Sequence, residues 1–135
     1  MKTVSDVLRA DHARNYAGRA VSVDEYIRDF VKYVEDGKPL FTKGEVFIMF
    51  SDIGGGAVEF HCINGGSGRD LTGAVQEFLD GMSAMFSRAI TFYDNQRITD
   101  LMKYITYKTN VERIDGGEDR TFMAIFTLKD QLWAH

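Results

Sequence analysis

Cysteine, histidine and basic charge are scarce in this sequence, and each scarcity narrows what the chain is for. A single cysteine, Cys62, excludes an internal disulfide and suits a reducing compartment such as the cytoplasm. The three histidines, His12, His61 and His135, stand far apart, so no metal-ligand spacing is present. No apolar run reaches membrane-spanning length, and residues 1–20 lack the apolar segment of a signal peptide. Sixteen Lys and Arg stand against 20 Asp and Glu, a net charge of −4, which argues against general nucleic-acid binding. No Gly-Lys-Ser/Thr occurs, so a Walker-type phosphate loop is excluded.

What the chain has in plenty is apolar and aromatic surface. Hydrophobic residues make up 44% of its 135 positions, with ten Phe and six Tyr. That predicts a single domain, residues 1–135, built around one core.

The stretch from Ala57 to Phe86 organises the rest. Val58, Phe60 and Cys62 alternate with Glu59 and His61, the period-two pattern of a half-buried strand. Asn64, Gly65, Gly66, Ser67 and Gly68 break that pattern. Leu71, Ala74, Val75, Phe78, Leu79, Met82, Met85 and Phe86 then follow helical spacing and predict one buried face. A glycine turn entering a helix has a physical use. The first N–H groups of the helix lack internal partners, and glycines let an anion approach the backbone. Gly66-Ser67-Gly68-Arg69 is therefore a candidate diphosphate cradle; the competing reading is a plain strand-to-helix turn.

Around this unit the elements follow in order. Thr3-x-x-Asp6 caps a short helix to about Asn15, and Ser22-x-x-Glu25 caps a second over 23–36 that Gly37 and Pro39, the only proline, bring to an end. Leu40 to Ile63 reads as strand, with a turn at Ser51–Gly56. Ala89–Tyr93 is a strand, and Asp94 or Asn95 caps a helix with Ile98, Leu101, Met102 and Ile105 on its buried face. Two strands, 107–114 and 121–128, flank Asp115-Gly116-Gly117-Glu118. The order α, α, β, β, α, β, α, β, β predicts an α/β (α+β) single domain, a mixed central sheet with helices on both faces.

With these elements in place, the chain resembles the GNAT superfamily of N-acetyltransferases, and most of all the small acetyltransferase-like proteins of tailed phages. The resemblance covers residues 45–128. The family's turn, Gln/Arg-x-x-Gly-x-Gly/Ala, aligns with Ile63 through Gly68 and keeps both glycines, but Ile63 stands at the leading position. Asn95, Leu101 and Tyr107 match the later pattern, where Met102 replaces the Tyr that often protonates the departing thiolate and Thr106 replaces a Gly. The resemblance implies a GNAT-like fold and acetyl-coenzyme A as cofactor. It implies an amine acceptor, on a small molecule or a host protein, in the host cytoplasm. No nucleic-acid or membrane partner is expected.

On this reading the catalytic candidates are Glu59 and His61, as bases on one strand face, and Tyr104 as a replacement acid. The cofactor-binding candidates are Ile63, Gly65, Gly66, Ser67, Gly68, Arg69 and Asn95, with helix capping as the alternative for Asn95. Cys62 reads as a small core residue. Residues 1–37, with Arg14 and Arg19, are expected on the acceptor side. Two other readings stay open: a GNAT-like module that has lost turnover, favoured by Ile63, Met102 and Thr106, and half of a dinucleotide-binding Rossmann domain, with Asp94 as its ribose-binding acid.

Overall fold

The computed structural model describes residues 2–16, 18–116 and 119–129. Its elements are α1 (Val4–Asn15), α2 (Val23–Glu35), β1 (Leu40–Lys43), β2 (Val46–Gly54), β3 (Ala57–Asn64), α3 (Gly68–Met82), β4 (Arg88–Tyr93), α4 (Gln96–Leu101), β5 (Lys108–Gly116) and β6 (Asp119–Thr127). A 3-10 turn, Met102–Tyr104, continues α4. The 40–63 region is thus three strands rather than two, because Gly44, at φ 56°, makes a first hairpin. Gly117 and Glu118 of the last expected turn lie outside the described residues.

The sheet order is β1-β2-β3-β4-β6-β5. β3 and β4 run parallel, joined by α3, and every other paired neighbour is antiparallel. A dinucleotide-binding half would need further parallel neighbours. Here hairpins flank the one parallel pair, so the sheet is mixed.

Alternation along the strands sorts their side chains onto two faces. Val46, Ile48, Val58 and Phe60 meet Leu71, Ala74, Val75, Phe78 and Leu79 of α3, together with Ala89, Ala124 and Phe126. Phe47 and Ile63 face the other way and meet Val7 and Leu8 of α1 and Phe30 of α2. Helices therefore cover both faces. The long helix is shorter than its apolar pattern suggested. It ends at Met82 with Ser83 as C-cap, and Met85, expected in the core, is 65% exposed.

One glycine is dictated by this packing. Gly65 lies where β3 leaves the sheet, and a Cβ there would sit 2.8 Å from the Val7 Cα and 2.9 Å from its Cγ2. The obstacle is backbone, so α1 itself must move. Gly65→Ala is expected to cost about 1–3 kcal/mol, read as a lowered urea midpoint at unchanged slope. Full wild-type stability would show that α1 is not seated on the turn.

Candidate functional site

The parallel pairing of β3 and β4 is short. It runs from Ala57↔Arg88 to Phe60↔Thr91, although β3 continues to Asn64 and β4 to Tyr93. At the end of the pairing the buried Thr91 donates its hydroxyl to the Phe60 carbonyl at 2.8 Å. Beyond that bond the strands part, and a cleft of about 780 Å³ opens at their C-terminal ends.

Backbone direction at this opening follows from the antiparallel ladder. Gly65 N–H donates to Glu45 O at 2.8 Å, so in the β2–β3 register residues 59, 61, 63 and 65 turn their amides toward β2. Residues 58, 60, 62 and 64 turn theirs toward β4. Asn64 N–H is taken by Asp11 Oδ1 at 2.9 Å. Cys62 N–H is directed across the opening, where β4 has diverged. Its side chain packs with the α3 core and also lines the cleft. Burial, and then the Asp11 charge, push the thiol up to about 12, so it is protonated at neutral pH and no nucleophile.

The glycine turn is tied down peptide by peptide. Arg14 donates Nη1 to Asn64 O at 3.3 Å and Nη2 to Gly66 O at 2.9 Å, and Lys2 donates to Gly65 O. Gly66 N–H goes to Asn64 Oδ1 at 2.8 Å, and Asn64 Nδ2 goes to Ser67 O at 3.0 Å. Ser67 is the N-cap of α3. Its hydroxyl accepts from Asp70 N–H at 3.1 Å, while Asp70 Oδ2 accepts from Ser67 N–H at 2.8 Å and from Ser67 Oγ at 2.9 Å. This capping box was readable as Ser67-x-x-Asp70. It leaves the Gly68 and Arg69 N–H groups as the donors at this helix end. Gly68 also admits α4: a Cβ there would lie 3.3 Å from both methyl groups of Leu101.

Asp11 had no part in the sequence reading. It sits 1% exposed on α1, on the stripe of Val7 and Leu8, and a charged residue at that spacing is the signal that marks it. Its carboxylate accepts from Asn64 N–H, from Asn15 Nδ2 at 3.0 Å and from the Tyr26 hydroxyl. Burial and the Asp11 charge raise the Tyr26 phenol pKa well above its ordinary value. Asn15 Oδ1 in turn accepts from Asn95 Nδ2 at 3.3 Å, and Arg19 pairs with Asp94 at 2.5 Å. The segment expected on the acceptor side is therefore joined to the turn through Arg14 and to the start of α4 through Asn15 and Arg19.

The structure brings together His61, Gly66, Ser67, Gly68, Asn95 and Tyr104 around the cleft. Asn95 also caps α4, its Oδ1 accepting from Arg97 N–H at 3.0 Å. Tyr104 is 62% exposed at the rim. Ile63, Gly65, Arg69 and Glu59 are not among the lining residues. Ile63 is 1% exposed beneath α1 and α2, so its side chain offers the turn nothing. Glu59 pairs with Ile90 before the strands part. His61 lies just past the split. Desolvation lowers its pKa from 6.5, against the opposing pull of Asp11 and Asp94, so the ring is neutral at neutral pH. Among the described residues no group of His, Cys, Asp and Glu is placed to hold a metal ion, and no helix is long and apolar enough to cross a membrane.

No protein-family model matches the sequence, and no curated protein matches it. Among solved structures the chain is similar to a ribosomal-protein-alanine N-acetyltransferase from Brucella melitensis, at a TM-score of 0.51 and 10% identity, over 93% of this chain and 96% of that one. At that identity the likeness is one of fold. The parted parallel strands, the glycine turn and the long helix between them belong to a GNAT-like α/β fold.

Proposed function

We propose that this chain is an acetyl-coenzyme A-dependent N-acetyltransferase that acts on an amine, on a small molecule or a host protein, in the cytoplasm of a phage-infected cell. The observation that carries the reading is the opening between β3 and β4, flanked by the start of α3. An extended donor fits such a slot. Cys62 N–H is directed into it, and the Gly68 and Arg69 N–H groups stand at the positive end of α3 for a diphosphate. Asn95 also lines the cleft.

Acetyl-coenzyme A would supply the activated acetyl thioester. The chain's own share is positional and acid–base. Its cleft excludes water along the apolar walls of Leu71, Val75 and Phe126. Cys62 N–H offers a hydrogen bond where charge develops on the acyl oxygen. His61, neutral and past the split, takes the proton from the attacking amine nitrogen as the C–N bond forms and the C–S bond breaks. Tyr104 is the hydroxyl on the rim for the departing sulfur. The second reading, binding without turnover, is favoured by Met102 at the position where the family carries its acid.

Thermal denaturation with ligand tests the first step. A ligand specific for the folded state adds about 2.7 kcal/mol at a hundred times its dissociation constant, a rise of several degrees for a domain of this size. Coenzyme A and acetyl-coenzyme A are expected to give that rise and NAD none. No shift at saturating coenzyme A, or a shift with NAD alone, would overturn the assignment. Release of free thiol with an amine present separates turnover from binding.

A further inference from the structure

We propose that Asp11 and Arg14 are positioning residues of the donor slot: one helical turn apart on α1, they take the place of a neighbouring strand at the end of β3 and hold the slot open. This rests on the donor-site assignment above and deepens it. The strands set the problem. β3 pairs with β4 as far as Phe60↔Thr91, yet it runs on to Asn64. In the β2–β3 register the N–H and C=O groups of residues 62 and 64 face the β4 side, where the pairing has ended. Asn64 is 4% exposed, so its backbone groups have little access to bulk water. A buried N–H without a partner is costly and rare.

α1 supplies what Asn64 lacks. Asp11 Oδ1 accepts from Asn64 N–H at 2.9 Å, and Arg14 Nη1 donates to Asn64 O at 3.3 Å. One acceptor and one donor on the same helix face thus reproduce what a strand residue would have offered. The Asp11 carboxylate is itself fixed, by Asn15 Nδ2 at 3.0 Å and by the Tyr26 hydroxyl of α2. The same helix end holds the opposite wall: Asn15 Oδ1 accepts from Asn95 Nδ2 at 3.3 Å, just beyond β4. The end of α1 is therefore tied to both of the parted strands. With Asn64 satisfied, nothing draws the end of β3 toward β4, and Cys62 N–H is left directed into the slot. Without Asp11 the Asn64 amide must seek β4 or water. Either shift moves the Cys62 amide that the acyl oxygen is to meet.

Amide hydrogen exchange on the full chain without ligand, and calorimetric titration with coenzyme A well below the melting temperature, test this in the wild type, Asp11→Ala and Asp11→Asn. In the wild type the Asn64 amide, although beyond the paired strands, is expected to be protected about as well as the Phe60 amide within the ladder. Asp11→Ala removes the acceptor. Asn64 exchange is then expected to rise about tenfold with Phe60 rising far less. Coenzyme A affinity is expected to fall about tenfold, the size of one charge-assisted hydrogen bond. Asp11→Asn keeps an acceptor oxygen and is expected to bring both back to within about threefold of wild type. An unprotected Asn64 amide in the wild type would overturn the proposal by itself, whether or not Asp11→Ala folds. Asn64 and Phe60 exchange rising in step, or coenzyme A affinity unchanged in Asp11→Ala, would also overturn it and leave the donor site standing, with Asp11 a residue of the fold alone. A wild type that binds no coenzyme A would overturn the donor site, and this inference with it.

Discussion

Phe78→Ala is expected to remove about 3–5 kcal/mol of folding stability, the usual cost of deleting a buried aromatic ring and leaving a cavity. Phe78 is 1% exposed on α3, with Phe41, Phe50 and Phe60 around it at ring-centroid distances of 5.7, 5.3 and 5.1 Å. These partners come from β1, β2 and β3, so one ring joins the helix to half the sheet. Against a typical total of about 5–15 kcal/mol, such a loss leaves a marginal fold. The melting temperature should fall by about 10–20 °C and the urea midpoint in proportion, with the slope unchanged. Met85→Ala is the control, expected within about 0.5 kcal/mol of wild type because that side chain is exposed. A loss below about 1 kcal/mol for Phe78→Ala would mean that α3 does not seat on the sheet as described.

His61→Gln is expected to lower turnover by about 10²–10⁴-fold, the usual contribution of a general base, with coenzyme A affinity nearly unchanged. Glu59→Gln is expected to leave turnover nearly unchanged, because Glu59 lies where β3 and β4 are still paired, outside the cleft lining. The reverse pattern would move the base to Glu59. A pH profile sharpens the comparison. His61 must be neutral to accept a proton, and burial lowers its pKa from 6.5. The acid limb of the rate should therefore fall below pH 6.5, and Gln should abolish it. Stability follows the same group. Below pH 6.5 the unfolded chain binds a proton that the folded His61 refuses until its lower pKa is reached. Wild-type stability should thus decline as pH drops through that window, and His61→Gln should decline less. Equal slopes would place the charged imidazole in water rather than against α1.

These two tests draw on different amounts of sequence information. Phe78 was readable from period alone, since Leu71, Ala74, Val75, Phe78 and Leu79 leave a helix no other face to bury. The caps at Thr3, Ser22 and Asn95 were equally local and formed where their spacing placed them. Period also misled at Met85, because it continues past the point where Ser83 ends the helix and the chain turns to start β4.

The choice between Glu59 and His61 was beyond any local pattern. Both lie on one strand face, and only the length of the β3–β4 pairing says which of them reaches the opening. The same holds for the turn. Its glycines read as a cradle, yet Gly65 answers to Val7, Gly66 to Asp70 and Gly68 to Leu101. Two of those three contacts cross long stretches of sequence.

By itself the sequence determined the element order apart from the first hairpin at Gly44, the two-sided burial of the central strands and the helix starts, because these depend on spacing and on capping within a few residues. Tertiary structure decided which polar groups meet. Asp11, Arg14 and Asn95 converge on the turn and the cleft from α1 and the start of α4, since the packing of Val7, Leu8 and Ile63 fixes where α1 lies across the sheet. Contacts of that kind depend on how whole elements pack, and no period or cap signal within one segment carries them.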